Sequence, residues 1–122
     1  MGRYNPWKHL GETFPHVIVC TAYELEPGVR GLVRGERIWL SSTLDRVERR
    51  CTLAHEIVHL ERGVVLEARD SVQTQEEERI VDTIAANRLI DKELLTELRA
   101  AMVPTADIAK ALDVTERVLK YV

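Results

Sequence analysis

The segment that most constrains this chain is Cys51–Leu60, which contains the pattern His55-Glu56-x-x-His59. On an α-helix, residues four apart lie on the same face, one turn from each other. Both imidazoles can therefore point at a single metal ion. Glu56 lies about 100° further round such a helix, within reach of a water at that ion. The pattern thus predicts a metal-binding helix with Glu56 as its catalytic carboxylate.

The residues around this pattern indicate that the helix is buried. A helical wheel places two apolar strips on either side of a polar gap. The first strip holds Val47, Cys51, Ala54 and Val58, and the second holds Leu53, Ile57 and Leu60. The gap holds Thr52 and the three residues of the motif. Because unpaired polar groups are costly in a core, a metal ion with its water is one way to satisfy them. The alternative is a structural interaction protein whose motif holds no metal.

Strand and turn signals before this helix predict a small antiparallel sheet. The β-branched run Val17–Cys20 is interpreted as a strand, and Gly31–Leu40 is typical of a hairpin whose turn is Arg34–Glu36. An open edge of such a sheet can pair with an extended peptide, but it can equally be solvated or covered. Residues 1–16 show no sustained period, and we expect a loop there.

The metal helix is expected to run from about Leu44 to Arg62. The Ser41–Thr43 segment offers N-cap oxygens, and Asp45 favours the first helical turn. Gly63 is a good stop signal. The basic residues of the first turns are expected on a solvated face; they are Arg46, Arg49 and Arg50.

A second helix is expected over residues 75–90, after a loop over residues 64–74. Catalytic zinc takes three protein ligands and leaves a fourth position to water, so a third ligand must come from elsewhere in the chain. Glu78 is favoured because it shares a helix face with Asp82, whose carboxylate can accept a ring N–H from a metal-bound histidine. Glu77 remains the alternative third ligand.

The 122 residues are expected to form one domain, with an N-terminal part (1–43), metal-site helices (44–102) and a helix-turn-helix-like tail (105–122). The net charge of −3 and the mixed charges of the tail favour packing or partner docking over DNA binding. The sequence shows no secretory segment and no apolar run long enough to cross a bilayer. We therefore expect a cytoplasmic protein with reduced thiols at Cys20 and Cys51.

Two motifs taken together resemble a known family. They are Thr52-Leu-Ala-His-Glu-x-x-His59 and Glu78-x-x-x-Asp82-x-x-Ala85-Ala86-x-x-Leu89. Over roughly residues 36–90, the chain resembles the ImmA/IrrE-type zinc metallopeptidases of bacteria, phages and mobile elements. The resemblance implies a zincin-like minimal domain of the α+β class. It also implies one zinc ion held by His55, His59 and a downstream glutamate, with Glu56 as general base.

The resemblance further implies an activity and a substrate. We expect a zinc-dependent endopeptidase that cleaves another cytoplasmic protein, since the ImmA branch inactivates helix-turn-helix repressors of phages and mobile elements. A zinc-binding regulator without peptidase activity, acting on a transcription factor or on DNA, is the alternative. The sequence leaves the oligomeric state open. It also leaves open the second oxyanion donor, for which Tyr23, His16 and nearby arginines are candidates.

Overall fold

The computed structural model describes residues 3–64 and 72–122. Its described elements, in chain order, are α1 (Pro6–Thr13), β1 (Ile18–Cys20), β2 (Gly31–Arg34), β3 (Arg37–Leu40), α2 (Arg46–Arg62), α3 (Val72–Leu89), α4 (Lys92–Ala100), α5 (Thr105–Leu112) and α6 (Glu116–Leu119). The fold is α+β, as predicted, with the sheet before the histidine-bearing helix and the other long helix after it. None of these described helices is long and apolar enough to span a membrane.

Helix α2 lies between two clusters of buried apolar side chains in the described part of the chain. On one side, Cys51, Ala54 and Val58 pack with residues of α3 to α6. On the other side, Leu53 and Ile57 pack against β3 and α1. Both are fully buried, with no exposed surface. The two apolar strips predicted from the helical wheel are therefore confirmed, and the polar gap lies between them.

The sheet is mixed, which corrects the prediction of an antiparallel one. Strand β3 is central, with β2 antiparallel to it on one side and β1 parallel to it on the other. The hairpin is confirmed, with Arg34 opposite Arg37 and Gly35 in the left-handed region (φ 58°). The tight turn between β2 and β3 requires these strands to be antiparallel. The longer connection after β1 allows either direction, so the path of the chain decides how β1 pairs with β3.

The N-terminal segment forms helix α1, so the prediction of a loop there was wrong. The side chain of Asn5 accepts hydrogen bonds from the backbone N–H of Trp7 (3.0 Å) and of Lys8 (3.2 Å). Pro6 follows at the first helical position, where a missing N–H costs nothing. Leu10 is buried in the sheet-side cluster. This helix is too short to show a full apolar period, but the Asn-Pro pair is a start signal.

Helix α2 begins at Arg46 because Asp45 itself is the N-cap. The Asp45 carboxylate accepts the Glu48 N–H (2.8 Å), and the Glu48 carboxylate accepts the Asp45 N–H (3.0 Å). This reciprocal pair replaces the cap that we expected from Ser41–Thr43. Gly63 ends the helix in the left-handed conformation (φ 63°), as predicted.

Helix α3 begins at Val72, earlier than the predicted residue 75, and ends at Leu89. The predicted loop over residues 64–74 is therefore wrong at its C-terminal end, where the chain is already helical. At its N-terminal end, Val64 is neither helical nor in a strand, as predicted, and residues 65–71 lie outside the described residues.

The C-terminal tail is tied to the start of α2 by ion pairs. Asp113, in the left-handed conformation (φ 58°), accepts from both terminal nitrogens of Arg46 (2.9 and 2.5 Å). Arg50 donates to the backbone carbonyls of Asp113 (2.6 Å) and Tyr4 (2.9 Å) and is only 8% exposed. The expected solvated face was thus wrong for Arg50, since partners distant in sequence bury it.

Candidate metal centre

His55 and His59 lie one turn apart on α2, and Glu78 of α3 contacts both rings. The two Nε2 atoms are 3.1 Å apart, and each is 3.0 Å from a different carboxylate oxygen of Glu78. Three ligand atoms around one tetrahedral zinc ion lie about 3.3 Å from each other, so the observed spacing fits that ion. These three side chains form a group that could hold a metal ion.

Asp82, one turn after Glu78, orients the ring of His55. Its Oδ1 atom is 2.9 Å from Nδ1 of His55. Because an ionised carboxylate can only accept, Nδ1 carries a proton, which leaves Nε2 as the ring nitrogen that faces Glu78 and His59. Bonds of this kind orient metal-binding histidines. The arrangement is the one expected from the shared helix face of Glu78 and Asp82.

Glu77 faces a different partner. Its carboxylate accepts from Nε (2.5 Å) and Nη2 (2.9 Å) of Arg62, and its side chain is 8% exposed. Among the described residues, the ligand atoms that come together at the imidazoles are those of His55, His59 and Glu78, whereas Arg62 holds the Glu77 carboxylate at both oxygens. The fold therefore brings Glu78, and not Glu77, to the two imidazoles.

The carboxylates of the cluster attract positive charge. Burial lowers the pKa of His55, but its hydrogen bonds to Asp82 and Glu78 outweigh burial and raise the pKa to about 9. The hydrogen bonds from His55 and His59 hold the pKa of Glu78 well below its ordinary value. An environment that retains a proton on a buried imidazole also favours a metal cation in its place.

Glu56 is a buried carboxylate beside this cluster, with 5% of its surface exposed. Burial raises its pKa, against the opposing effect of His55 and His59. A carboxylate with a raised pKa takes up a proton more readily at neutral pH. The position and environment of Glu56 are therefore suited to acid–base chemistry.

Comparison with protein families shows where this arrangement belongs. Residues 18–122 match the IrrE N-terminal-like domain of peptidase family M78. The chain belongs to this family. Its members are metallopeptidases, so the resemblance and the expected enzyme class are confirmed. The match includes β1 and the C-terminal tail, and is thus wider than the motif region 36–90. No curated protein and no solved structure matches the chain.

The M78 domain also brings the backbone of β2 against helix α2, a contact that the helical and strand patterns did not predict. A Cβ atom at Gly31 would lie 2.7 Å from Cγ2 of Thr52 and 3.3 Å from Oε1 of Glu56. Since real Cβ atoms do not approach other atoms to 2.7 Å, only glycine fits without a shift. Glycine in a strand can mark a close backbone approach, and Gly31, as the first residue of β2, carries this signal.

A cavity of about 970 Å³ lies over the histidines of the M78 domain. Strand β2 and helix α2 line one part of it, and α3 and the tail line the other. Arg117 and Tyr121 of the tail are among the lining residues, although the tail was expected only to pack or to dock a partner. His16 and Tyr23, the named candidates for the second oxyanion donor, are not among the described residues that line it.

Proposed function

We propose that this M78 domain is a zinc-dependent endopeptidase. His55, His59 and Glu78 would hold the zinc ion, which would supply the Lewis acidity that polarises a peptide carbonyl and makes a water more acidic. One observation carries the proposal: the ligand atoms of these three residues lie within 4.8 Å of one another. They do so in the cavity that also contains Glu56.

Glu56 would move the proton. One of its carboxylate oxygens accepts a proton from the attacking water, and the same group later donates it to the nitrogen of the leaving amine. The raised pKa of Glu56, caused by its burial, favours this exchange because the protonated form becomes easier to reach.

Strand β2 would hold the substrate in an extended conformation. It is an edge strand, and its residues Gly31, Leu32 and Val33 line the cavity. An extended peptide can add to such an edge through main-chain hydrogen bonds. Because Gly31 has no side chain, β2 lies close to Glu56, so a peptide paired with this edge would lie near the acid–base group.

The proposed substrate is a cytoplasmic helix-turn-helix repressor of a phage or mobile element. Membership of a peptidase family implies a protein substrate. The choice of a repressor, and the cytoplasmic location, rest on the resemblance to the ImmA branch.

The test uses the purified full chain, zinc and a co-encoded repressor. Zinc content is measured first, and cleavage is then followed with and without a chelator. We expect the zinc-loaded protein to cleave the repressor and the chelator to stop it. A Glu56→Gln variant should keep its zinc and cleave at least about 100-fold more slowly, because it cannot accept the proton.

Each other outcome contradicts a different part of the proposal. Retained cleavage by the Glu56→Gln variant would remove Glu56 from its role. A protein that binds no zinc would contradict the metal centre. Binding of both zinc and repressor without cleavage would favour the non-proteolytic regulator.

A further inference from the structure

The C-terminal tail reaches the metal centre through one arginine. Arg117 of α6 contacts both carboxylate oxygens of Asp82, with Nη2 to Oδ2 at 3.2 Å and Nη1 to Oδ1 at 3.4 Å. The Asp82 side chain is 7% exposed, whereas that of Arg117 is 42% exposed and borders the cavity. Asp82 therefore lies between a cation from the tail and the ring of His55.

We propose that Arg117 is a positioning residue of the metal centre, which holds Asp82 so that its carboxylate orients His55. This inference rests on the proposed metal site. It goes beyond that site because it assigns part of the centre to the tail.

The geometry of Asp82 explains why a positioning residue is useful there. The terminal torsion of an aspartate is broad, so its carboxylate plane is poorly fixed by the side chain itself. The guanidinium is a planar fork that matches a carboxylate at two points. With the fork on one side and Nδ1 of His55 at 2.9 Å on the other, the carboxylate plane and the ring are fixed together.

Arg117 is itself held in place by the tail. Its guanidinium carbon lies 5.7 Å from the centre of the Tyr121 ring, within the range of a cation–π contact. Between α5 and α6, Asp113 is tied to Arg46 on α2. These contacts, together with the packing of α6 against α3, hold Arg117 beside Asp82.

The first experiment measures zinc affinity by competition with a chelating dye, for the wild type, Arg117→Met and Lys120→Met. Lys120 is exposed and lies on the same tail, so it is the matched loss of one positive charge. Removing a cation near a cation site should by itself strengthen zinc binding slightly. Loss of a positioning residue should instead weaken zinc binding, because residues that orient metal ligands contribute about 10–100-fold to metal affinity.

We expect Arg117→Met to weaken zinc binding by about tenfold, the lower end of that range, because it acts through Asp82. We expect Lys120→Met to change it by less than about twofold, since a solvated charge is screened. Arg117→Lys should lie between wild type and Arg117→Met, because an ammonium keeps the charge but not the fork.

The second experiment repeats Arg117→Met in an Asp82→Ala background. If Arg117 acts through Asp82, the substitution should then change zinc affinity by less than about twofold. Thermal unfolding with chelator present checks that each variant folds. If Arg117→Met does not fold, the zinc affinity of Arg117→Lys tests the positioning role instead.

Zinc binding by the wild type distinguishes failure of the metal site from failure of the positioning role of Arg117. If the wild type binds zinc but Arg117→Met binds it equally well or more tightly, the positioning role is wrong and the metal site stands. An equal loss in both Asp82 backgrounds would likewise reduce Arg117 to a structural role. If the wild type binds no zinc, the metal site and the role of Arg117 fall together.

Discussion

The two sides of helix α2 contribute to the candidate site in different ways. On the sheet side, β2 contributes backbone: Gly31 approaches Thr52 and Glu56 so closely that a Cβ atom would not fit. On the helical side, α3 and α6 contribute charged side chains, namely Glu78, Asp82 and Arg117.

This difference shows what each side requires of the sequence. The helical side depends on which side chain stands at each position, because charge and hydrogen bonding act on the imidazoles. The sheet side depends on the absence of a side chain and on where the main chain runs. Substitutions on the two sides should therefore affect different measurements: metal affinity on the helical side and substrate turnover on the sheet side.

The largest effect is expected at Glu78 on the helical side, and its neighbour Glu77 provides the matched control. Glu78→Gln should lower zinc affinity by more than about 100-fold, because it removes a charged ligand rather than an outer partner. Glu77→Gln removes the same charge from the neighbouring position, where the carboxylate faces Arg62. It should leave zinc affinity within about threefold, since only a more distant charge is lost.

Dye competition on the purified variants measures both affinities. Equal losses in the two variants would mean that general negative charge, and not one ligand position, attracts the metal.

On the sheet side, Gly31→Ala should reduce turnover while sparing the metal. The new methyl group would push against Cγ2 of Thr52 and against the Trp39 carbonyl oxygen, which is 3.1 Å from the Cβ position. We expect a stability loss of about 1–3 kcal/mol from overpacking. We also expect kcat/KM to fall about 10–100-fold, because β2, the strand proposed to pair with the substrate, moves away from Glu56.

Gly11→Ala is the matched control, since nothing lies within 4 Å of a Cβ atom at that position in α1. It should be neutral or stabilising by up to about 1 kcal/mol. Urea unfolding and peptidase kinetics measure the two quantities. A Gly31→Ala variant with normal turnover would contradict the role of this close approach.

The smallest effect is expected where the tail is anchored. A hydrogen bond from Arg46 lowers the pKa of Asp113 below its ordinary value of 3.8. The stabilisation is therefore present above pH 3.8 and is lost as the pH falls through the lowered pKa. Asp113→Asn should lower the free energy of unfolding at pH 7 by about 1–2 kcal/mol. Asparagine suits this site because it tolerates the left-handed conformation that Asp113 adopts.

Urea unfolding between pH 2.5 and 7, with chelator present above pH 4, measures this difference. The wild-type and Asp113→Asn curves should converge at the acid end, whereas Asp107→Asn, at an exposed position on α5, should follow the wild type throughout. Curves that stay parallel down to pH 2.5 would show that the charge of Asp113 is not what anchors the tail.

Local sequence determined the central helix and the residues that its candidate metal site takes from it. The histidine spacing, the two apolar strips and Gly63 all act within one or two helical turns, so they could be interpreted without knowledge of the rest of the chain. The pairing of Glu78 with Asp82 on one face of α3 is equally local. Helix α1 could also have been predicted from local sequence, since Asn5 and Pro6 mark its start.

Only the tertiary structure decided the contacts between segments distant in sequence. The parallel pairing of β1, the approach of Gly31 to Glu56 and the burial of Arg50 all depend on the path of the chain. So does the contact of Arg117 with Asp82, which lies 35 residues earlier. Periodicity and spacing describe which face a residue occupies within its own element. They cannot specify which distant group meets that face, because that depends on how the elements pack together.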